Sequence, residues 1–396
     1  MLIEIHIIQN HSPSNLNRDD LGAPKTCVFG GVTRARISSQ CLKRSIRRSA
    51  AFQQALHKER GIRTRRLPSE IARRAHDQED PPPEWIDRVR KAFETLGVTF
   101  NVDGDPYATD IIWFVPSSAI DQMAEAVRES KDDLTSLTSR FAHILRDMAR
   151  APDIALCGRM TEFKPKDKEY ADLPSCLRVE AALSAAHAIS THEVLNEVDY
   201  FTAADDLPLG AGAAHVNEAM FASACFYKYF CIDWDQLKAN LGGDKDLADL
   251  TVQQFLIAAA LTNPTGKQTS FAAFNPPDGI LVEVKTQQRV PVSYANAFAR
   301  PVPTDASRGL VGESIAGLGQ YVHDVALGYA IPAQRFWFSP NRRYMLTYVD
   351  RQDSQQKEEK AVVDDSQVFG ALEELVAAVM TAVGNWAQSQ PAGAVS

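Results

Sequence analysis

Long apolar runs are missing from this chain of 396 residues. No segment approaches the ~20 consecutive apolar residues of a membrane-spanning helix. The start, Met1 to Ser14, has no basic stretch leading into an unbroken apolar one, so neither membrane insertion nor secretion is expected. Cysteine is sparse: Cys27, Cys41, Cys157, Cys176, Cys225 and Cys231 include no C-x-x-C pair, which argues against a disulfide framework and against zinc. The closest histidine pairs, His6 with His11 and His187 with His192, have no cysteine pair beside them and read as structural or surface groups. The expectation is a reduced, cytoplasmic protein without metal or cofactor.

Catalytic signatures are absent as well. There is no G-x-S-x-G, no H-E-x-x-H and no dinucleotide fingerprint. Gly266-Lys267-Gln268-Thr269 has the look of a phosphate loop, but Leu261 stands where its first glycine belongs and Gln268 where Ser or Thr belongs, so a nucleotide-triphosphate site is rejected. No fixed-period repeat is visible.

What is present is ordinary globular composition, 45% hydrophobic and 23% charged, with a formal net charge of −8. The total hides an asymmetry. Residues 1–74 carry 15 Lys and Arg against 5 Asp and Glu, a net of +10, and the remaining 322 residues carry 27 against 45, a net of −18. Such a distribution points to one surface for a polyanion on an otherwise acidic molecule.

Residues 2–9 alternate Ile3, Ile5 and Ile7 with Glu4 and His6, the pattern of a half-buried strand. The polar segment Asn10–Thr26 reads as a turn or binding loop. A second strand is expected over Val28–Ile37, with Gly30-Gly31 marking a bulge and Arg34 and Arg36 on one face. Ser38-Ser39 then opens a helix with Leu42, Ile46 and Ser49 on one side and Lys43, Arg44, Arg47 and Arg48 on the other. Residues 57–150 look like a helical insertion with periodic stretches at Pro83–Leu96 and Ile120–Leu145, the first introduced by the stiff run Asp80-Pro-Pro-Pro83. Strands return near Ala224–Ile232, Ser270–Phe274 and Gly279–Lys285, and Val368, Leu372, Leu375, Val379 and Val383 recur at helical spacing. The order suggests an α+β core with insertions.

The strongest functional signal is the run from Arg34 through Arg36, Ser38, Ser39, Gln40, Lys43, Arg44, Arg47 and Arg48. Guanidinium forks, amides at a helix N-terminus and clustered positive charge each suit phosphate oxygens, and several regularly spaced cations suit a nucleic-acid backbone better than one phosphate ester. A solvated basic face explains many such helices. The convergence of strand arginines and capping serines at one end favours the anion site. Arg18 and Lys25, in the preceding loop, either extend the track or are ordinary loop charges. Tyr200-Phe201-Thr202 forms an aromatic pair on an excursion ending near His215 and Val216, suited to stacking on bases. Gly158-Arg159-Met160 is a weaker signal, since Met160 is more often core filler than a base wedge.

Two rival readings follow from the same residues. One is an RNA-processing ribonuclease using His187, His192 or His215 for acid–base work, or Asp205 and Asp206 with a metal. Adjacent carboxylates on an extended chain point to opposite sides, which argues against that metal cage. The other is a small-molecule enzyme with a basic substrate channel.

The motifs His11-Ser-Pro-Ser14, Leu16-Asn-Arg-Asp-Asp20, Phe29-Gly-Gly31 and Arg36-Ile-Ser-Ser-Gln-x-Leu-Lys-Arg44 resemble the CasC (Cse-type) family, the repeated backbone subunit of type I-E CRISPR Cascade surveillance complexes. The likeness resumes at Asp153-Ile-Ala-Leu-x-Gly-Arg-Met160, Ala186-His-Ala-Ile-x-Thr-His192, Phe201-Thr-Ala-x-Asp-Asp-Leu207, Lys267-Gln-Thr-x-x-Ala-Ala-Phe-Asn-Pro276 and Ala295-Asn-Ala-Phe298. It implies an RRM-like (ferredoxin-like) palm with a helical finger insertion and a thumb loop: palm 1–56, finger 57–150, palm or web 151–186, thumb 187–222 and palm again 223–396.

The same resemblance implies a non-catalytic subunit in antiviral defence. Its copies line up head-to-tail along guide RNA (crRNA) and present it to target DNA beside other Cascade subunits. Arg18, Lys25, Ser38, Gln40, Lys43, Arg44 and Arg47 would hold the RNA backbone, and Met160 with Phe201, Thr202 and Val216 would separate a kinked nucleotide. The sequence departs from the family pattern mainly in 57–150, in Lys164–Pro174 and after Asp350.

Overall fold

In the computed structural model, the first strand, β1 (Leu2–Ser14), runs through the middle of a mixed sheet that has ten strands among the described residues. Those residues are 1–56, 60–77, 79–102, 104–130, 133–148, 151–202, 216–304, 307–350 and 359–389. The chain divides into two units. Met1–Ala51, Ser184–Cys231 and Gln253–Ser396 form the first, and Phe52–Leu183 with Ile232–Val252 the second.

The sheet orders its strands Val368–Phe369, Gln334–Phe338, Gly279–Lys285, β1, Val216–Asp233, Ala188–Ser190, β3 (Val32–Ile37) and β2 (Thr26–Phe29). Strand Gly279–Lys285 lies antiparallel to β1, with Leu2 opposite Lys285 and Ile8 opposite Gly279. The long strand Val216–Asp233 also carries a hairpin with Glu197–Thr202. On one face of the sheet, Ile315, Leu318 and Val322 of the helix Gly309–Tyr329 pack with Ile8, Tyr227, Leu281 and Trp337.

The alternation along β1 marks a strand, but not a half-exposed one. Glu4 and His6 are as buried as Ile3, Ile5 and Ile7. Glu4 faces Glu283 across the ladder, a like-charge pairing that needs compensation. Lys285 supplies it by pairing with Glu4, and Arg335 Nε donates to Glu283 Oε1 at 2.7 Å. Tyr229 donates to Glu4, Tyr294 Oη donates to Glu283 Oε2 at 2.8 Å, and the Val292 amide donates to Glu4 Oε1 at 2.7 Å. Burial acts to raise the Glu283 carboxyl, but His6, Arg335 and Lys285 outweigh it and hold the group below the usual carboxylate range. Glu4, His6 and Glu283 also bring three potential metal ligands within 4.8 Å of one another. Lys285 and Arg335 already provide positive charge there, so the cluster reads as an internal ion network.

Three other expectations are corrected. Val28–Ile37 is a hairpin, because Gly30 and Gly31 both take positive φ (63° and 84°) and turn the chain between β2 and β3. Ser270–Phe274 is no strand. Gln268–Phe271 forms a short helix there, flanked by left-handed Lys267 and Ala272. Val368 sits in a two-residue edge strand, and the C-terminal helix runs Leu372–Ser389.

In the second unit, helices Leu67–His76, Pro83–Thr95, Ser117–Glu129 and Leu134–Asp147 enclose a core around Phe93, Trp113 and Phe141. The expected stretch Ile120–Leu145 is two helices, the second capped by Asp133, whose carboxylate accepts the Ser136 amide at 3.0 Å. A two-stranded antiparallel sheet pairing Gly61–Thr64 with Trp113–Pro116 and a short hairpin of Phe100–Val102 with Asp105–Thr109 accompany the helices. Residues 151–183 belong to this unit as well.

The buried groups along β1 set the stability of the sheet in two ways. Lys285→Ala leaves the buried Glu4 carboxylate without its cation and is expected to cost about 3–5 kcal/mol in chemical denaturation; a loss below about 1 kcal/mol would contradict the network. His11, at the far end of β1, is buried edge-on to Phe226, with the Ala273 backbone as a polar neighbour. Burial, then the charge of the buried Lys228, lowers its imidazole to about 3. Between pH 6.5 and 3 the unfolded chain takes up a proton that the folded chain refuses. Stability therefore falls on acidification, by up to about 1.4 kcal/mol per pH unit. His11→Phe is expected to flatten that part of the stability–pH curve relative to wild type, measured by urea unfolding.

Candidate nucleic-acid interface

Helix α1 (Ser39–Arg47) follows β3 directly and has the expected two faces: Leu42 and Ile46 are buried, and Lys43, Arg44, Arg47 and Arg48 lie on the more accessible side. Ser38 caps it, its hydroxyl accepting the Cys41 amide at 3.2 Å. The first turn contains no acidic residue, so the positive end of the helix is not neutralised by its own sequence, while Arg44 and Arg47 suit the negative end. Ser39 is buried beneath this turn and Gln40 is exposed on it.

The loop between β1 and β2 is built against this helix start. Asn17 is its latch: the side-chain oxygen accepts the Ser38 amide at 2.9 Å and the backbone carbonyl accepts the Lys25 amide at 2.8 Å. Asp19 turns the loop by accepting the amides of Leu21 and Ala23, both at 2.9 Å. Asn15 ties it to the sheet through the carbonyls of Gly22 and Met220, both at 2.9 Å. Arg18 is exposed on this loop and Lys25 is half-buried where it enters β2. Among the described residues, Arg18, Lys25, Lys43, Arg44 and Arg48 form no ion pair with a carboxylate. An open cleft of about 500 Å³ separates the loop from α1, with Arg18, Asp19 and Asp20 on one wall and Cys41, Arg44 and Ser45 on another.

Not every arginine of the motif belongs to this surface. Arg34 is fully buried. Its guanidinium donates to the carbonyls of Phe29 (3.2 Å), Ser190 (3.0 Å) and Phe298 (2.7 Å), so it staples the sheet and does not face RNA, contrary to the expectation. Arg159 is corrected for the same reason. It is buried in the second unit, donates to the carbonyls of Leu177 (2.6 Å) and Phe114 (3.3 Å), and burial lowers its guanidinium to about 10. Arg36 keeps an accessible position, with Nε on the Thr26 carbonyl at 3.2 Å and a terminal nitrogen 2.9 Å from Nδ1 of His187.

Of the histidines of the nuclease reading, the two described, His187 and His192, are engaged separately, one exposed and one buried. His187 is exposed and accepts from Arg36; partial burial, then the charges of Arg36 and Lys25, hold its imidazole below the ordinary range. His192 is buried, with Nδ1 2.8 Å from the Glu193 carbonyl and Nε2 accepting the Cys225 amide at 3.3 Å. Both ring nitrogens are thereby engaged, leaving neither to exchange a proton with a substrate. His215, Asp205 and Asp206 lie outside the described residues.

Tyr200 and Phe201 occupy the end of the hairpin opposite Glu218 and Asn217, and Thr202 pairs with Val216. Being adjacent on a strand, the two rings face opposite sides. They are 68% and 47% exposed, and Met160, in the second unit, is 70% exposed, so none of the three is core filler. Two positions are not evident from sequence. Asn17 lies in a segment that reads only as polar loop, and His187 reads as an acid–base candidate and not as a group that orients Arg36.

The geometry defines an α+β protein with a large sheet, one edge of which carries a capped, acid-free helix start and a loop whose cations, Arg18 and Lys25, have no carboxylate partner among the described residues. The chain belongs to the CT1975-like protein family, whose model matches residues 3–374. It is similar to a chain of a solved CRISPR RNA-guided surveillance complex in a pre-nicking state, at 28% identity and a TM-score of 0.80 over 96% of this chain and 100% of that one. It shares its fold with a chain of a second CRISPR RNA-guided surveillance complex, at 24% identity and a TM-score of 0.71 over the same shares. Comparison with curated protein sequences finds no match.

Replacing Arg34 by Lys retains the charge but not the fork. Arg34→Lys is expected to lose about 2–4 kcal/mol of stability through carbonyls left without donors, each costing about 1–3 kcal/mol. Thermal and urea unfolding measure this. A variant as stable as wild type would return Arg34 to the candidate surface.

Proposed function

We propose that this protein is a guide-RNA-binding subunit of a CRISPR RNA-guided surveillance complex of the Cascade kind, acting without catalysis in antiviral defence. The observation that carries the reading is the array of Arg18, Lys25, Lys43, Arg44 and Arg48, without carboxylate partners among the described residues, around the uncompensated N-terminus of α1. It lies in a chain similar along 96% of its length to a surveillance-complex chain.

Such an array grips phosphates and ribose at any sequence and leaves base pairing to identify the target. The strand order supports an RRM-like core: Gly279–Lys285, β1, Val216–Asp233 and Ala188–Ser190 stand side by side, with α1 lying in the chain between β1 and Ala188–Ser190 and the helix Lys245–Leu261 between Val216–Asp233 and Gly279–Lys285. The exposed Tyr200 and Phe201 at the end of their hairpin support a wedge role at a kink in the strand, and the exposed Met160 is a separate candidate on the second unit. Open head-to-tail copies along one RNA, as in type I-E complexes, are the assembly this reading includes, with the paired target DNA strand and other subunits as further partners.

Binding of a labelled single-stranded RNA of arbitrary sequence tests the proposal. Affinity is expected to fall steeply with salt. Lys43→Ala/Arg47→Ala is expected to weaken binding at least tenfold at moderate salt and to reduce the slope of log K against log salt by about 0.7 for each phosphate no longer neutralised. The RNA should remain intact with and without magnesium. Unchanged affinity and slope in the double variant, or cleavage by the purified protein, overturns the reading.

A further inference from the structure

The rejected motif at Gly266-Lys267 has a place in the fold that its sequence did not disclose. Thr265 and Gly266 form the third wall of the cleft whose other walls hold Arg18 and Arg44. Gly266 lies so close to the loop after β1 that a Cβ on it would stand 2.4 Å from the Leu16 carbonyl oxygen and 2.6 Å from that of Asn15. The segment is fixed from behind by the buried Gln268, whose side-chain nitrogen donates to the carbonyls of Pro264 at 3.0 Å and Ala273 at 3.3 Å. Lys267 is held in the left-handed region at φ 51°, an unusual conformation for a residue with a side chain, and forms no ion pair among the described residues.

We propose that the Pro264–Lys267 segment is part of the RNA site. In this assignment the cleft takes one nucleotide of the bound strand. Arg18 and Arg44 meet its phosphate from the cleft walls, Lys267, next in the chain to the lining Gly266, adds its charge from beside the cleft, and Asp20 and Thr265 accept from the ribose hydroxyls. Asp19 is already engaged by the amides of Leu21 and Ala23, and an exposed Asp20 suits a hydroxyl donor rather than a second phosphate. Gly266 is a positioning residue that sets the spacing between this segment and the Arg18 loop. The assignment rests on the RNA-binding reading above and extends it to a segment some 220 residues away in sequence from α1.

Lys267→Gly separates charge from folding, because glycine accepts the left-handed conformation without strain. The variant is expected to melt at or above the wild-type temperature. It should bind single-stranded RNA about three- to tenfold more weakly at moderate salt, with a slope of log K against log salt reduced by about 0.7, the value for a single phosphate. Thr265→Ala is expected to weaken RNA binding with the salt slope unchanged. If Lys43→Ala/Arg47→Ala lowers affinity while Lys267→Gly and Thr265→Ala bind as wild type does, this assignment falls and the RNA-binding reading stands. Failure of the wild-type protein to bind RNA overturns both.

Discussion

The Arg34 guanidinium is the interaction on which the geometry of the candidate surface depends. It collects the carbonyls of Phe29, Ser190 and Phe298, which come from the end of β2, the strand Ala188–Ser190 and the short helical turn Ala295–Phe298. A buried cation without a carboxylate is tolerable only where oxygen lone pairs surround it, and a planar fork reaches several carbonyls that an ammonium does not. Ser190 reinforces the same junction, its hydroxyl accepting the Ala35 amide at 3.1 Å and donating to the His192 carbonyl at 2.6 Å. The fit at the turn is close, since a Cβ on Gly30 would stand 1.6 Å from the Ala299 carbonyl oxygen. With β3 fixed in this way, Ile37 is buried, Ser38 arrives at its capping position, and the first turn of α1 faces the loop that Asn17 latches. The candidate anion-binding end of the helix is thus positioned by a buried residue that lies behind the surface.

That division of labour explains what could be read from sequence. Helix α1 is legible almost to the residue because its signals are local: a capping serine, apolar positions at helical spacing and a cationic opposite side. The separate fates of Arg34 and Arg36 are not legible. Both lie on one side of β3, and only the packing of segments more than 150 residues away puts carbonyls over one and His187 beside the other. Gly30-Gly31 does carry its signal, since a Gly-Gly pair between two short strand-like runs is a hairpin signature. Reading it as a bulge merges two strands into one. Glu4 and His6 are misplaced by sequence because alternation looks the same whether the polar side meets water or an internal ion network. The complementary clue, Glu283 and Lys285 alternating on another apolar strand, acquires meaning only once the two strands are paired.

Charge counting has a similar limit, and ion pairing supplies the missing distinction. The basic excess of residues 1–74 divides between the two units. Arg66, Arg73 and Arg74, in the second, are matched by Asp105 and Glu70. Further along the same unit Arg90, Arg128, Arg140 and Arg146 are each matched by a carboxylate. These cations already have local partners, so a polyanion meeting them must compete for each one. Around α1, Arg18, Lys25, Lys43, Arg44 and Arg48 have no carboxylate partner among the described residues, and the loop's carboxylate Asp19 is turned to its own backbone. Availability, more than total charge, therefore marks the surface.

The groups on the candidate surface suit one kind of recognition more than another. A protein that reads nucleotide sequence needs side chains fixed against base edges, whereas the groups available here are flexible ammonium and guanidinium ends, a helix terminus and hydroxyls. These suit a repeating backbone whose bases stay free for another strand. The rigid contacts, Arg34 and the Asn17 latch, lie behind that layer and set its spacing. A surface organised in this way favours a fixed path for the strand over a fixed sequence, which is what a carrier of interchangeable guides requires.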